Sequence, residues 1–118
     1  MPRRFLFIIR TPPQAGLRAR ETLDMVLTMA AFDQAVSVLY LDDGIYQLRQ
    51  GQQAENGQPV IGEMLEAFSL YGVESVWVES ESLVSRDMTP SDLVINAELV
   101  DRARLSALLQ GFDLVLGC

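Results

Sequence analysis

Apolar residues in this chain fall into short unbroken runs, separated by stretches in which they recur at helical spacing. Phe5-Leu6-Phe7-Ile8-Ile9 is continuous and of strand length, the pattern of a strand buried on both faces rather than half exposed. Thr11-Pro12-Pro13 ends it. From Ala15 to Ala31, Leu23, Val26, Leu27 and Ala30 predict a first helix, with Met25 and Met29 on or beside its core face. Val36 to Leu41 predicts a second buried strand, closed by an Asp42-Asp43-Gly44 turn. Ile45-Tyr46-Gln47-Leu48 adds apolar side chains directly after that turn, and the polar stretch Arg49 to Gln58 predicts a surface loop.

A second helix is predicted from Pro59 to Tyr71. Proline suits its first position, Ile61, Met64, Leu65 and Phe68 share one face, and Gly72 stands where a C-terminal cap belongs. Val73 to Val78 predicts a third strand. The polar segment Glu79 to Asp92 predicts a short helical turn at Ser82 to Arg86 and a stop at Thr89-Pro90. Leu93-Val94-Ile95 predicts a short fourth strand, Glu98 to Gln110 a third long helix, and Asp113 to Leu116 a terminal strand. Alternating strands and helices, with strands apolar along their length, predict an α/β fold. The expected form is a flavodoxin-like three-layer α/β/α sandwich, in which a mostly parallel sheet of about five strands makes a single domain over residues 1–118. In such sheets a site lies beyond the carboxyl ends of the strands. That directs attention to Arg10–Gly16, Asp42–Arg49, Glu79–Arg86 and the chain end.

Composition narrows the chemistry. The 118 residues are 49% apolar and 21% charged, sufficient for a packed core and ordinary for a folded domain. Nine cations, all arginine, oppose sixteen carboxylates, for a net charge of −7. Such a field repels phosphate backbones and anionic lipid and welcomes a basic protein surface, so neither a nucleic-acid nor a membrane partner is expected. The apolar run after Met-Pro-Arg-Arg is too short for a signal-peptide core or a spanning helix, and a cytoplasmic protein is expected. A single cysteine, Cys118, excludes an internal disulfide. The absence of histidine excludes histidine-based triads, Cys/His hydrolase pairs and HExxH zinc sites.

The strand ends offer few reactive groups. Pro12 and Pro13 remove two backbone donors from the loop where a phosphate cradle would sit, which favours a plain connection. Arg18 and Arg20 lie in the first turn of the first helix, either solvated or meeting a partner's carboxylate. Asp42 and Asp43, with Glu79 and Glu81, form an acidic rim suited to a hard divalent cation or to capping the turn backbone. A receiver-type Mg²⁺ site is disfavoured, because Arg10-Thr11-Pro12 follows the first strand and the chain has no lysine. Cys118 stands beside a terminal carboxylate, which disfavours its thiolate. Ile45, Tyr46 and Leu48 either meet another subunit or pack over the sheet end.

The segment Leu41-Asp42-Asp43-Gly44-Ile45-Tyr46-Gln47-Leu48-Arg49-Gln50-Gly51-Gln52 is the most specific motif of the chain. Together with Leu70-Tyr71-Gly72-Val73, Val76-Trp77-Val78 and Asp113-Leu114-Val115-Leu116, it resembles the TusC/DsrF-like branch of the DsrE/DsrF/DsrH sulfur-relay family over essentially the whole chain. The resemblance implies a heterohexamer with two copies each of TusB-, TusC- and TusD-like subunits. Such a complex passes persulfide sulfur through TusE-like and MnmA-like proteins toward 2-thiolation of the tRNA wobble uridine, or acts in sulfur oxidation. It also implies that the persulfide cysteine belongs to the TusD-like chain, just after its third strand. The matching position here is Glu79, and a carboxylate cannot carry sulfane sulfur. This chain is then a non-catalytic structural subunit without cofactor or metal. Its interface candidates are Asp42, Asp43, Gly44, Ile45, Tyr46, Gln47, Leu48 and Gln52, with Arg18 and Arg20. Two other classes stay open: a freestanding small-molecule or metal-binding flavodoxin-like domain using the acidic rim, and a homo-oligomeric sulfur carrier using Cys118.

Overall fold

The computed structural model describes residues 3–13, 17–50 and 61–117, with side chains from Leu65 onward in the last stretch. Five strands are described: β1 (Arg4–Ile9), β2 (Ala35–Tyr40), β3 (Ser75–Glu79), β4 (Glu98–Val100) and β5 (Leu114–Gly117). All pair in parallel, in the order β4-β3-β2-β1-β5. The helices are α1 (Leu17–Ala31), α2 (Ile61–Tyr71), α3 (Ser80–Ser85) and α4 (Leu105–Gln110), with 3-10 turns at Asp42–Leu48, Pro90–Asp92 and Arg102–Arg104. This is the parallel α/β sandwich that the alternation of patterns predicts. No helix among the described residues is long and apolar enough to cross a membrane.

The strand order follows from crossover handedness. The chain steps from β1 to β4 in one direction and then returns to place β5 beside β1, so right-handed connections put α1 and α2 on one face and α4 on the other. The two apolar layers agree. Phe7, Ile9, Val38 and Tyr40 meet Leu23 and Val26 of α1 and Leu65 and Phe68 of α2. On the opposite face Leu6, Ile8, Leu39 and Val100 meet Trp77, Leu105, Leu108 and Phe112. There the Trp77 and Phe112 rings stand edge to face at 5.8 Å, with the Arg4 guanidinium 4.6 Å over Phe112. β1 and β2 are buried almost throughout because they lie centrally and carry apolar residues on both faces.

Several boundaries differ from expectation for identifiable reasons. Leu93-Val94-Ile95 is not a strand of the sheet. Leu93 makes an isolated antiparallel bridge with Arg49, and the Val94 N–H donates to the Leu48 carbonyl at 2.7 Å, so this segment straps the Asp42–Leu48 turn. The fourth strand is instead Glu98–Val100, within the stretch expected as a long helix. Glu98 pairs with Trp77 and Val100 with Glu79, and the chain becomes α-helical only at Leu105. β3 begins two residues later than predicted, because the Val73 N–H closes the α2 C-terminus on the Phe68 carbonyl at 2.9 Å. Gly72, at φ +88°, supplies the left-handed conformation that this cap requires. Met25 is 53% exposed rather than beside the core, whereas Met29 does pack against it. Ala15, the Gly51–Gln58 loop, Pro59 and Cys118 lie outside the described residues.

Gly44 is the tightest point of the fold. A Cβ there would stand 2.1 Å from the Ile9 carbonyl oxygen, which is backbone and cannot move aside. Gly44→Ala is therefore expected to lower the unfolding free energy by about 3 kcal/mol or more, measured by urea denaturation. Tyr40 presents the opposite case. Its hydroxyl is fully buried with no hydrogen-bond partner among the described residues, and burial pushes the phenol far above its ordinary range. Tyr40→Phe removes this unsatisfied group and is expected to raise the unfolding free energy by about 1 kcal/mol. A loss of stability in the same assay would show that the hydroxyl is satisfied in solution.

Candidate functional site

The carboxyl ends of the strands converge on one buried carboxylate. Glu79, the last residue of β3, is only 2% exposed. Arg102 grips it with two hydrogen bonds, Nη2 to Oε1 at 2.8 Å and Nε to Oε2 at 3.2 Å. The register explains the reach: Glu79 pairs with Val100, so the chain leaving β4 carries Arg102 back over the end of β3. Ser82, buried in α3, donates its hydroxyl to Glu79 Oε1 at 2.6 Å and accepts the Asp42 N–H at 3.0 Å. The Arg102 N–H meets both oxygens of Glu81, at 3.0 and 3.1 Å. One network thus joins the ends of β2, β3 and β4.

The electrostatics follow from these contacts. Hydrogen bonding from Arg102 holds Glu79 below the usual carboxylate range, against the burial that opposes ionisation, with Ser82 assisting. The same pairing raises the Arg102 guanidinium. The rest of the acidic rim is likewise engaged. Asp43 accepts Arg86 Nη2 and Nε at 3.0 and 3.2 Å, and Asp42 lies 3.8 Å from Arg10. No three carboxylates, cysteines or histidines among the described residues converge as a metal would need. The four acids of this rim are engaged by three arginines, Arg10, Arg86 and Arg102, with Glu81 meeting the Arg102 backbone N–H.

The predicted interface residues divide by burial. Gly44, Ile45, Gln47 and Leu48 are buried within this chain, so of the two alternatives for Ile45 and Leu48 the structure has packing within the chain rather than contact with another subunit. The 3-10 turn points both side chains into the core below, the alternative of packing over the sheet end. Gln47 donates Nε2 to the Thr11 carbonyl at 2.7 Å, tying the turn to the loop after β1. Asp42 and Asp43 are exposed and Tyr46 half-buried, its ring flanked by Arg49 at 5.2 Å and Arg86 at 5.9 Å. Pro12, Asp43, Tyr46 and Arg49 line an open depression of about 380 Å³. Arg18 is exposed and Arg20 half-buried on the first turn of α1. Gln52 and Cys118 lie outside the described residues. Sequence reading missed Ser82 and Arg102; Arg102 stands 23 residues from Glu79, in a stretch that reads as helix, and no spacing signals the pair.

As Glu79 ionises more readily folded than unfolded, its stabilisation is complete above the ordinary glutamate range and is lost as pH falls through its lower folded value. In Arg102→Met the buried carboxylate loses the largest cause of that lowering, leaving burial opposed only by Ser82 and Arg86. The thermal stability deficit of this variant is expected to be largest near about pH 7 and to shrink as pH falls below the ordinary glutamate range and the carboxyl becomes protonated in both proteins. A deficit independent of pH in parallel melts would mean that Arg102 acts by packing alone.

Residues 3–116 match the DsrE/DsrF-like family. The chain is 38% identical over 117 residues to a protein TusC homolog of Pseudomonas aeruginosa, with 98% of each chain covered. It is 35% identical over 128 aligned residues to the intracellular sulfur oxidation protein DsrF of Allochromatium vinosum, covering 96% of this chain and 94% of that one. Its fold matches the crystal structure of YchN from E. coli with a TM-score of 0.84 at 16% identity, over 98% of this chain and 99% of that one.

Proposed function

The chain belongs to the DsrE/DsrF-like family, and on that premise we propose that it is a non-catalytic, cytoplasmic subunit of a sulfur-relay complex. In this reading it assembles with TusB-like and TusD-like chains into a heterohexamer with two copies of each. The complex passes persulfide sulfur through TusE-like and MnmA-like proteins toward the tRNA wobble uridine. The observation that carries the reading is the state of Glu79. This residue holds the place implied for the family's persulfide cysteine, and here that place is filled by a buried carboxylate bound by Arg102 and Ser82. A carboxylate so engaged has neither the sulfur atom nor the freedom to accept one. The persulfide chemistry then belongs to a partner's cysteine, and this subunit contributes surface.

A second reading, a subunit of a sulfur-oxidation relay, is favoured by the likeness to DsrF. Deletion of the gene separates the two: loss of 2-thiouridine from tRNA supports the first, and intact tRNA with impaired sulfur oxidation supports the second.

Co-expression with the neighbouring TusB- and TusD-like chains is expected to yield one stable species containing all three, read as a native mass. The purified chain alone is expected to accept no sulfur from a persulfide donor. A chain that co-purifies with neither neighbour, or single-chain sulfur transfer that disappears in Cys118→Ser, would overturn the proposal.

A further inference from the structure

The nine arginines are unevenly placed, and α1 beyond its first turn and α2 carry none. None occurs between Glu21 and Leu48, or between Gln50 and Ser85. Those stretches include α1 beyond its first turn, α2, and the connections that lead from both helices into β2 and β3. The outward side of this layer carries exposed Asp24, Asp33, Glu66 and Glu74, and its basic residues are confined to Arg18 and Arg20 on the first turn of α1, with Arg3 just ahead of β1 the cation nearest the other end. Large apolar side chains lie among these carboxylates. Phe32 is 74% exposed and Leu70 82%, with Tyr71 at 47%.

The topology places these three at the same end of the layer. β1, β2 and β3 are parallel neighbours, so α1 and α2 both run back toward the amino end of the sheet and finish side by side. The Glu74 N–H donates to the Val36 carbonyl at 2.8 Å, which fixes the two helix-to-strand connections against each other. Phe32 ends one helix, and Leu70 and Tyr71 end the other. A monomer gains nothing from holding such side chains in water, and apolar groups grouped within a polar rim mark contact surfaces.

We propose that the C-terminal ends of α1 and α2 form a docking surface for a partner protein segment that is apolar at its centre and rich in lysine or arginine at its edges. Charge selects this occupant. A second copy of the chain would bring the same carboxylates face to face, and nucleic acid or anionic lipid is repelled by them. A cationic amphipathic segment satisfies both features: its apolar side covers Phe32, Leu70 and Tyr71, and its basic flanks meet Asp33, Glu66 and Glu74. The surface lies at the end of the sheet opposite the Glu79 network, so a partner seated here leaves that end unobstructed.

The test uses the full chain and a fluorescent, helical leucine/lysine peptide of about 18 residues, with a leucine/glutamate peptide of the same pattern as its counterpart. Anisotropy titration is expected to show binding of the lysine peptide only, weakening at least about tenfold between about 0.05 and about 0.5 M salt. Phe32→Ser/Leu70→Ser, which keeps every charge, is expected to weaken binding by about tenfold or more. Glu66→Gln/Glu74→Gln should weaken it clearly more than Asp87→Asn/Asp101→Asn, which removes the same charge elsewhere. Equal binding by the apolar variant, equal effects of the two charge variants, or binding of the glutamate peptide would overturn the proposal. Circular dichroism melts of each variant confirm that the fold is retained. The result does not depend on assembly with TusB- or TusD-like chains, so it stands or falls separately from the relay function.

Discussion

The backbone contact between residue 44 and the end of β1 is the constraint on which the carboxyl end of this sheet depends. Leaving β2, the chain turns at once across the Ile9 carbonyl, so closely that only glycine fits. Because the turn is this tight, its next residues are driven downward, and Ile45 and Leu48 join the core beneath α2 rather than standing at a rim. Gln47 is carried against Thr11, and Asp42 is held at φ +51° with its N–H aimed at Ser82. Ser82 in turn orients Glu79 for Arg102. A steric fact about one backbone position thus reaches the charge state of a carboxylate on another strand, through bonds that can each be named.

Much of the fold was legible because the central strands obey simple rules. β1 and β2 are buried on both faces, and their unbroken apolar runs show it. α1 and α2 bury one stripe each, and their spacing shows that too. Legibility failed at the sheet edge. β4 has three residues, of which only Val100 is buried, and the periodicity of Leu99, Leu105, Leu108 and Leu109 reads through it as one helix. Leu93-Val94-Ile95 has strand composition, yet its hydrogen bonds go to the Asp42–Leu48 turn and not to a neighbouring strand. Composition reports that a segment is buried; it does not report which backbone completes its hydrogen bonds.

The candidate site was legible to a similar degree. That Glu79 stands at the carboxyl end of β3 could be read from the order of elements. Its partners could not, because Arg102 arrives through the register of β4, the strand that sequence patterning misplaced. For the same reason, Asp42, Asp43, Glu79 and Glu81 looked like a cluster along the chain. In three dimensions each meets an arginine or its backbone, and the rim is taken up by these internal contacts rather than gathered around a common centre.

Those pairs also explain where the net charge resides. Exposed pairs such as Arg10 with Asp42 contribute little to stability, whereas the buried carboxylate of Glu79 requires its cation. Arg10, Arg86 and Arg102 all serve the carboxyl end of the sheet, and the helices on the face of α1 and α2 are left with acids alone beyond Arg20. Closing one end of the sheet internally therefore concentrates uncompensated charge on another surface. A free monomer gains no stability from that imbalance, since like charges on one layer repel. The imbalance acquires a purpose when the missing cations belong to another chain, which is the arrangement expected of a subunit whose chemistry is done by its neighbours.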